Sequence, residues 1–346
     1  MVWPAASDAG PSTRWARIAS AFRAVTNIPG TASIGRGSGS GIVKGILLPI
    51  PSGPREERVP GKSQVGMLAS GPVSGLEPAK QRAAVTYNLA ADHYEQPALG
   101  FWAFAGGETV RRLELHPGDN VLDAGCGTGC SAIPAAVAVG PEGSVLAVDL
   151  ADRLLELARA KADARGLANV EFVTGDMERL ELTEESFDAV ISVFSIFFVA
   201  DMDAQVSRFV SLLRPGGRLA VTTWGPDLWQ PAYGRWKAAV NREREGLVGE
   251  FNPWDRITTP EAVVQLLRAG GLDEVIADPY EHHQSLSSPE DWWSIVIGSG
   301  LRWQIEQLGP EGAARVRSDN VGFLGDRGVR SVPCPMIFAC GRRPNS

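Results

Sequence analysis

An aspartate and three glycines lie close together in residues 120–131, which read NVLDAGCGTGCS. Val121 and Leu122 end an apolar run that predicts a buried strand, and residues 131–139 read as the helix that follows. Glycines between a strand and a helix let backbone N–H groups and the helix N-terminus surround a small ligand. We therefore predict a ligand-binding turn between this strand and this helix.

The aspartate indicates which kind of ligand the turn accepts. The glycines are spaced G-x-G-x-G, whereas dinucleotide-binding turns have G-x-G-x-x-G. Asp123 ends the strand beside them, where its carboxylate would repel a pyrophosphate and attract an ammonium and a sulfonium. S-adenosylmethionine carries both cations and is the predicted cofactor; a plain tight turn is the alternative. The residues predicted to bind the cofactor here are Asp123, Gly125, Cys126, Gly127, Thr128 and Gly129.

Two further acids follow later predicted strands. Asp149 ends the second strand, 20 residues after Gly129, where a carboxylate accepts both ribose hydroxyls of an adenosine. Leu150 would then lie against the adenine. Asp176 follows the third strand and is a candidate acceptor for the adenine amine, with the Met177 N–H as a donor. Nicotinamide enzymes also use an acid at the first of these positions, and each acid could instead serve a helix N-terminus or a turn.

Strands and helices alternate after the glycine turn. Strands are predicted at 144–148, 170–173, 187–193 and 218–223, and helices at 152–165 and 204–213. This alternation is typical of a parallel sheet with helices on both faces. We therefore predict an α/β, Rossmann-like fold, with its ligands at the carboxyl ends of the strands where the strand order reverses.

The motifs together resemble the class I S-adenosylmethionine-dependent methyltransferases. The matching segments are residues 121–129, Asp149, 175–177, 187–192 and 212–217. The resemblance covers about residues 84–225 well and the chain up to residue 342 only loosely. Within the class, the chain looks most like the ubiquinone and menaquinone C-methyltransferases and related small-molecule enzymes.

The resemblance has consequences for fold and function. It implies a seven-stranded, mostly parallel sheet whose last strand is antiparallel, with residues 272–286 and 336–342 as the terminal pair. It also implies that backbone groups from Ser192 to Phe194 line the methionine part of the cofactor. The implied function is methyl transfer to a carbon or oxygen atom of a small molecule. The alternatives are a Rossmann oxidoreductase that uses NAD(P), and a cofactor-binding protein without catalysis.

The chain after the alternating core is rich in tryptophan. A charged helix predicted at 230–247 reads as a lid, and another helix is predicted at 289–308. We assign residues 226–258 and 287–333 to lid or substrate elements. Tryptophans in this part of the chain suggest an aromatic wall for the methyl acceptor, with ordinary core packing as the alternative. They are Trp224, Trp229, Trp254, Trp292 and Trp293.

Few side chains are candidates for acid–base catalysis. Methyl transfer from a sulfonium is an in-line displacement with a neutral leaving group, so it needs chiefly proximity and alignment. A general base helps only where the acceptor is a hydroxyl or an acidic carbon. His93 and Tyr94 precede an aromatic cluster and are candidate substrate-side polar groups; His282, on a predicted strand, is the third. No metal site is predicted.

Composition restricts the partners and the compartment. The chain of 346 residues has a formal net charge of -7, which argues against nucleic acid as the main partner. Its four cysteines lack the spacing of a disulfide framework or a zinc site, as expected in a reducing compartment. No apolar run approaches the length of a transmembrane helix, and no signal peptide is recognised. We therefore expect a cytoplasmic enzyme without stable membrane insertion.

The first part of the chain differs in composition from the rest. Gly, Pro and Ser are frequent in residues 1–80, and such a segment buries too little apolar surface to hold a fold. We predict a disordered extension there, or alternatively a true start of the protein at Met67. The methyltransferase-like domain is predicted to occupy residues 81–346, with its core at 84–225.

Overall fold

A computed structural model of the protein describes residues 77–345. Most of the predicted N-terminal extension, and the alternative start at Met67, lie outside the described residues. The end of that segment is folded, because Pro78 opens the first helix. Proline suits this position, where no N–H group is needed and its fixed φ matches the helix. Residues 78–80 therefore belong to the domain and not to the extension.

Helices and strands alternate through the described residues. The helices are α1 (Pro78–Tyr94), α2 (Phe101–Leu113), α3 (Ala132–Val139), α4 (Asp152–Asp163), α5 (Met202–Leu212), α6 (Ala232–Glu243), α7 (Pro260–Ala269), α8 (Glu290–Ile297) and α9 (Arg302–Asp326). The strands are β1 (Asn120–Ala124), β2 (Ser144–Asp149), β3 (Val170–Thr174), β4 (Phe187–Val193), β5 (Leu213–Trp224), β6 (Asp273–Tyr280), β7 (His283–Ser285), β8 (Ser331–Pro333) and β9 (Met336–Arg342). Among residues 77–345, every helix falls short of the length or the apolar content that crossing a bilayer requires.

Seven strands form one sheet in the order β3-β2-β1-β4-β5-β9-β6. Strands β1 to β5 are parallel, and β9 runs antiparallel to both of its neighbours. The strand order reverses between β1 and β4, so the carboxyl ends of these strands flank the crevice where such folds bind ligands. The predicted α/β fold is confirmed, including the antiparallel last strand.

Side chains of the central strands alternate between two apolar clusters. Val121 and Ala147 pack with residues of α3 and α4, whereas Leu122 and Val148 pack with residues of α5 and α7. Helices therefore cover both faces of the sheet, because neighbouring residues of a strand point to opposite sides. The same alternation directs Asp123 toward the side of α3, which begins at Ala132.

The single strand predicted at 272–286 is wrong. The chain instead forms β6 and β7, which belong to different sheets. β6 pairs with β9, and β7 pairs with β8. β8 ends at Pro333, and Cys334 and Pro335 separate it from β9; the two prolines have no N–H group to donate to a ladder. An alternating sequence in one segment does not reveal this interruption in its partner.

The single helix predicted at 289–308 is also wrong. Its apolar spacing continues across a break between α8 and α9, where Gly298 and Gly300 occur. Glycine lowers the stability of a helix interior, so the break lies where continuation is least favourable. α9 then extends to Asp326 across a kink at Gly309, whose φ is 68° and which precedes Pro310.

Candidate functional site

A cavity of about 100 Å³ lies at the carboxyl ends of β1 to β4, and we refer to it as the glycine-turn cavity. Each of these strands contributes the residues that directly follow it, and α1 contributes the opposite wall. Most of the predicted cofactor-binding residues lie in its lining, as does one of the three catalytic candidates. They are Gly125, Cys126, Gly127, Thr128, Asp149, Leu150, Asp176, Met177 and Tyr94.

The backbone of the turn requires glycine at two positions for different reasons. Gly125 has a φ of 81°, and a Cβ there would lie 2.3 Å from the Ser195 Cβ, far inside contact distance. Gly129 has a φ of 79°, and a Cβ there would lie against Ile133 and Ala158. Gly129 is outside the lining of the cavity. Its prediction as a ligand contact is therefore corrected to a turn position packed against α3 and α4.

Asp149 connects the glycine turn to the end of β2. Its Oδ2 accepts a hydrogen bond from the Gly127 N–H at 2.8 Å, and its Oδ1 accepts one from the Ala151 N–H at 2.9 Å. Burial raises the pKa of this carboxyl, and the backbone donors oppose the rise. A carboxylate has about four lone-pair sites, so Asp149 keeps acceptor capacity toward the cavity that it lines.

Asp123 lies behind the wall of the cavity and is not part of its lining. The Ser131 hydroxyl, which does line the cavity, donates a hydrogen bond of 2.6 Å to its Oδ2. Its Oδ1 is buried and has no hydrogen-bond partner among the described residues. Burial raises the pKa of Asp123 to about 7, with a smaller contribution from the charge of Asp149. Asp123, which is predicted as a cofactor-binding residue, therefore lies one layer behind the cavity wall, with Ser131 between it and the cavity.

We expect Asp123→Asn to flatten the pH dependence of stability. Because Asp123 has a pKa of about 7 in the folded protein against an ordinary value of 3.8, its stabilising contribution is full below about pH 4. That contribution is lost as the pH rises through 7. Thermal unfolding between pH 5 and 8 should show a smaller fall in Tm for Asp123→Asn than for the wild type.

The control for this prediction is the exposed acid Asp163 at the end of α4. The variant Asp163→Asn makes the same change of an acid to its amide and should keep the wild-type pH dependence, because it leaves the buried carboxyl of Asp123 in place. Parallel pH curves for Asp123→Asn and the wild type would refute a titrating role for the buried carboxyl.

Ser192 is fully buried and also lies outside the cavity lining. Its hydroxyl is 2.6 Å from the hydroxyl of Ser195, which in turn donates to the Ala124 carbonyl at 2.6 Å. The cavity is lined by Val193, the last residue of β4, and by Phe194 and Ser195, which directly follow it. The prediction for Ser192 is thus corrected, since the chain turns after β4 and brings Ser195 to the place expected for Ser192.

Neither His93 nor His282 lies in the lining of a cavity described here. His93 is next to Tyr94 on α1, about 100° around the helix, and its Nδ1 is 3.0 Å from the Gln96 Nε2. His282 joins β6 to β7, and its ring stacks on Phe104 at a centroid distance of 4.4 Å. The fold therefore brings neither histidine to these cavities, because β6 lies at the opposite edge of the sheet and the helix directs His93 elsewhere.

Tyr94 covers the glycine turn. Its ring stacks on Trp102 with a centroid distance of 5.2 Å, and a Cβ on Gly127 would come within 3.5 Å of its hydroxyl. Burial raises the pKa of Tyr94 well above the ordinary tyrosine value, so the hydroxyl stays protonated at neutral pH. Of the three catalytic candidates, Tyr94 is the one that the fold brings to the cavity.

Lys80 is a functional candidate that the sequence prediction missed. It lines the cavity from α1, and its Nζ donates to both carboxylate oxygens of Asp176, at 2.9 and 2.7 Å. The same ammonium also pairs with Glu178. Although burial opposes it, hydrogen bonding to the two acids raises the pKa of Lys80. The prediction assigned residues 1–80 to a disordered extension, and this boundary concealed Lys80.

A second cavity of about 700 Å³ adjoins the first, and we refer to it as the aromatic cavity. The two share a wall that consists of Lys80, Ala83, Tyr87, Trp102, Phe194, Phe198 and Val199. Both predicted lid segments, 226–258 and 287–333, contribute to the lining of the aromatic cavity. Its aromatic side chains are Tyr87, Trp102, Phe194, Phe197, Phe198, Trp224, Trp229, Tyr233, Trp236, Phe251, Trp254 and Trp303.

Three of the five predicted tryptophans, Trp224, Trp229 and Trp254, line the aromatic cavity. Trp292 is fully buried elsewhere, and its Nε1 donates to the Asn320 side chain at 2.9 Å. Trp293 also lies outside the lining. The prediction is wrong for these two residues, because α8 directs them into helix packing.

Comparison with known proteins identifies the family of this chain. Residues 121–217 match a family model described as a methyltransferase domain. A nocamycin O-methyltransferase from Saccharothrix syringae is 30% identical over 278 residues, which cover 75% of this chain and 97% of that enzyme. The chain belongs to the class I S-adenosylmethionine-dependent methyltransferases. This methyltransferase therefore uses S-adenosylmethionine and acts on a small molecule, and both alternatives, the nicotinamide enzyme and the non-catalytic protein, are set aside.

Two further comparisons agree with this family. A demethylmenaquinone methyltransferase from Listeria welshimeri is 34% identical over 134 residues, which cover 39% of the methyltransferase described here and 55% of that enzyme. A phosphoethanolamine N-methyltransferase 2 structure from Haemonchus contortus, in complex with S-adenosylhomocysteine, has a TM-score of 0.50 at 18% identity. The match covers 78% of this methyltransferase and 61% of that chain, and it shows a shared fold.

The glycine-turn cavity suits the cofactor of the family. The backbone at Gly125 and Gly127 presents no side chain to a ligand, and Asp149 keeps acceptor capacity beside them. The buried Oδ1 of Asp123, which has no hydrogen-bond partner among residues 77–345, leaves acceptor capacity one layer behind Ser131. Together these groups fit a ligand with a diol at one place and a cationic group at another.

Proposed function

We propose that the methyltransferase binds S-adenosylmethionine in the glycine-turn cavity and methylates an oxygen atom of a small molecule held in the aromatic cavity. The observation that carries this proposal is the shared wall, which includes Tyr87, Trp102 and Phe194. Ligands in two adjoining cavities meet at that wall, as methyl transfer between them requires. The oxygen acceptor is supported by the O-methyltransferase relative, whose length the chain covers almost completely.

Each part of the cofactor has a proposed partner. Asp149 accepts the ribose hydroxyls, Leu150 lies against the adenine, and Asp176 accepts the adenine amine beside the Met177 N–H. The glycine turn, Cys126 and Thr128, with Val193 to Ser195, surround the methionine part. Ser131 faces this part directly and Asp123 acts through it. When bound, S-adenosylmethionine supplies the electrophilic methyl group.

The titratable side chains of the shared wall favour a methyl acceptor that is ionised before the methyl group is transferred. Its titratable side chains among the described residues are Lys80 and Tyr87. Burial raises the pKa of Tyr87, and Lys80 is held protonated by its two acidic partners. Since neither side chain can accept a proton near neutral pH, the acceptor oxygen must lose its proton without them. A carboxylic acid or an acidic phenol meets this requirement.

The aromatic cavity also indicates the size and shape of the acceptor. Its volume of about 700 Å³ is larger than the volume of about 100 Å³ of the glycine-turn cavity. Aromatic side chains form much of the lining, and flat rings pack well against them. Arg82 lies at the same cavity, with its guanidinium 5.4 Å from the Trp303 ring centre. We therefore propose a planar, largely apolar acceptor that carries one acidic oxygen.

Labelled-methyl transfer tests this proposal. The enzyme would be incubated with methyl-tritiated S-adenosylmethionine and a panel of polycyclic phenols, aromatic carboxylic acids, amines and quinols. Hydriodic acid would then be applied to each labelled product, because it releases an O-methyl group as volatile methyl iodide and leaves a C-methyl group in place. Volatile label from phenols or acids is the expected result. Label that stays in the treated product would contradict oxygen as the acceptor atom.

We expect Trp254→Ala to weaken binding of the acceptor without affecting the cofactor. Trp254 lines the aromatic cavity and is absent from the lining of the glycine-turn cavity. Truncation should raise the KM of the acceptor found in the screen by about tenfold, the scale of losing a stacked aromatic contact. The Kd of S-adenosylhomocysteine should stay within twofold. Trp293→Ala is the matched control, since Trp293 is also half-buried but lies outside both linings. Equal effects of the two variants on KM would argue against the aromatic cavity as the acceptor site.

A further inference from the structure

Lys80, Asp176 and Glu178 form a charged cluster in the wall of the glycine-turn cavity. Lys80 and Asp176 are 6% and 8% exposed, so both partners are removed from water. The ammonium of Lys80 contacts both oxygens of Asp176, and Asp176 Oδ1 also accepts the Glu178 N–H at 3.1 Å. The Asp176 carboxylate is therefore held in one orientation by donors from α1 and from its own loop.

The cluster is not the sole attachment of α1. Arg153 of α4 pairs with Asp92 at 2.6 Å, and Lys161 pairs with Glu95 at 2.7 Å. These pairs are more exposed than the Lys80–Asp176 pair, and α1 also contributes buried apolar residues such as Ala90 and Ala91. A buried ion pair pays a large desolvation cost, so it is a poor device for docking a helix that already has apolar contacts. The position of the pair in the cavity wall suggests a role toward the ligand.

We propose that Lys80 is a positioning residue that makes the purine site select a 6-amino group over a 6-oxo group. The inference rests on the proposed function, because it takes Asp176 as the partner of the adenine amine. A carboxylate only accepts hydrogen bonds, so it favours the amine of adenine and repels the carbonyl oxygen of hypoxanthine. Lys80 neutralises the repulsion between Asp176 and Glu178 and fixes the carboxylate plane toward the cavity.

Binding of two cofactor products measures this selectivity without any acceptor. S-adenosylhomocysteine and its deaminated analogue, S-inosylhomocysteine, would be titrated calorimetrically into the full-length wild type and its variants. We expect the wild type to bind the adenosine compound about a hundredfold more tightly, because the analogue leaves a buried acceptor facing another acceptor. In Lys80→Met this ratio should fall at least tenfold, chiefly through weaker binding of S-adenosylhomocysteine.

Two variants separate positioning from helix docking. Lys80→Arg should keep most of the ratio, because a guanidinium also donates two hydrogen bonds to one carboxylate. Arg153→Met is the matched control: it removes an ion pair of α1 that lies outside both cavity linings, and it should leave the ratio unchanged. If Lys80→Met fails to fold, Lys80→Gln serves in its place, since the amide keeps one donor and removes the charge.

The outcomes distinguish this inference from the proposed function. Equal weakening of both compounds in Lys80→Met, a changed ratio in Arg153→Met, or a wild type without preference would each overturn the role of Lys80. A wild type that binds neither compound would instead overturn the proposed cofactor site. A selective wild type, a lowered ratio in Lys80→Met and its rescue by arginine would support the inference.

Discussion

Gly125→Ala is expected to abolish measurable binding of S-adenosylhomocysteine and to lower the Tm. Gly125 has a φ of 81°, a region that costs an L-residue roughly 1–2 kcal/mol. The added Cβ would also lie 2.3 Å from the Ser195 Cβ and 2.8 Å from its Oγ. Ser195 cannot move away freely, because its hydroxyl bonds to Ser192 and to the Ala124 carbonyl. The turn itself must therefore shift, and the hydrogen bonds that its N–H groups donate to the Val148 carbonyl and to Asp149 are disturbed, so Asp149 and the turn leave their places in the cavity wall.

The matched control for this prediction is Gly107→Ala. Gly107 lies inside α2, and a Cβ there would meet no atom within 4 Å. Alanine is favoured over glycine in a helix interior by about 0.5–1 kcal/mol, so this variant should keep cofactor affinity and raise the Tm slightly. Calorimetric titration and thermal unfolding of both variants supply the comparison. Binding within threefold of the wild type in Gly125→Ala would show that the turn tolerates a side chain.

Asp149→Ala is expected to weaken binding of S-adenosylhomocysteine by about 2 kcal/mol, or roughly thirtyfold. The carboxylate accepts from the Gly127 and Ala151 N–H groups, so its loss leaves two backbone donors without their partner. Removal also eliminates the proposed acceptor for the ribose hydroxyls. Asp163→Ala, which changes an exposed acid at the end of α4, outside both cavity linings, should leave the affinity unchanged.

A comparison of two ligands in the wild type and in Asp149→Ala separates the two roles of Asp149, which are to bind the ribose hydroxyls and to hold the turn. The 2′-deoxy analogue of S-adenosylhomocysteine lacks one of the hydroxyls that Asp149 would accept. It should bind the wild type more weakly than the parent compound, and this difference should shrink in Asp149→Ala if the carboxylate contacts the diol. If the difference between the two compounds is the same in both proteins, Asp149 acts on the turn alone.

The sequence predicts the sheet and the glycine turn because their signals are local. An apolar run such as the one that ends at Leu122 predicts a strand from its own residues, and the glycines after Asp123 predict a turn in the same way. The terminal strand predicted at 336–342 agrees with β9. Strands β6 and β7 were predicted as one because their separation depends on the partner strands β8 and β9. A pattern within one segment contains no information about an interruption in another.

The site was less predictable than the fold, since it depends on which side chain reaches the cavity. Asp149 ends β2 in the cavity wall as predicted, whereas Tyr94, predicted on the substrate side, lines the glycine-turn cavity and not the aromatic cavity. Ser195 takes the place predicted for Ser192, because the chain turns after β4. Asp123 is one layer deeper than predicted, since strand alternation points it toward α3. Lys80 belongs to no recognisable motif, and the composition of residues 1–80 predicts a disordered segment.

Apart from the wall that they share, the two cavities draw on different parts of the chain. The glycine-turn cavity uses the residues that directly follow four neighbouring strands, whereas much of the aromatic cavity comes from residues after Trp224. Substitutions at Tyr233, Trp236 or Trp303 are therefore expected to reshape the proposed acceptor space while the strand ends stay intact. If the proposal holds, the chain is modular in this sense: grafting segments 226–258 and 287–333 from a related enzyme would exchange the range of acceptors and leave the methyl donor unchanged.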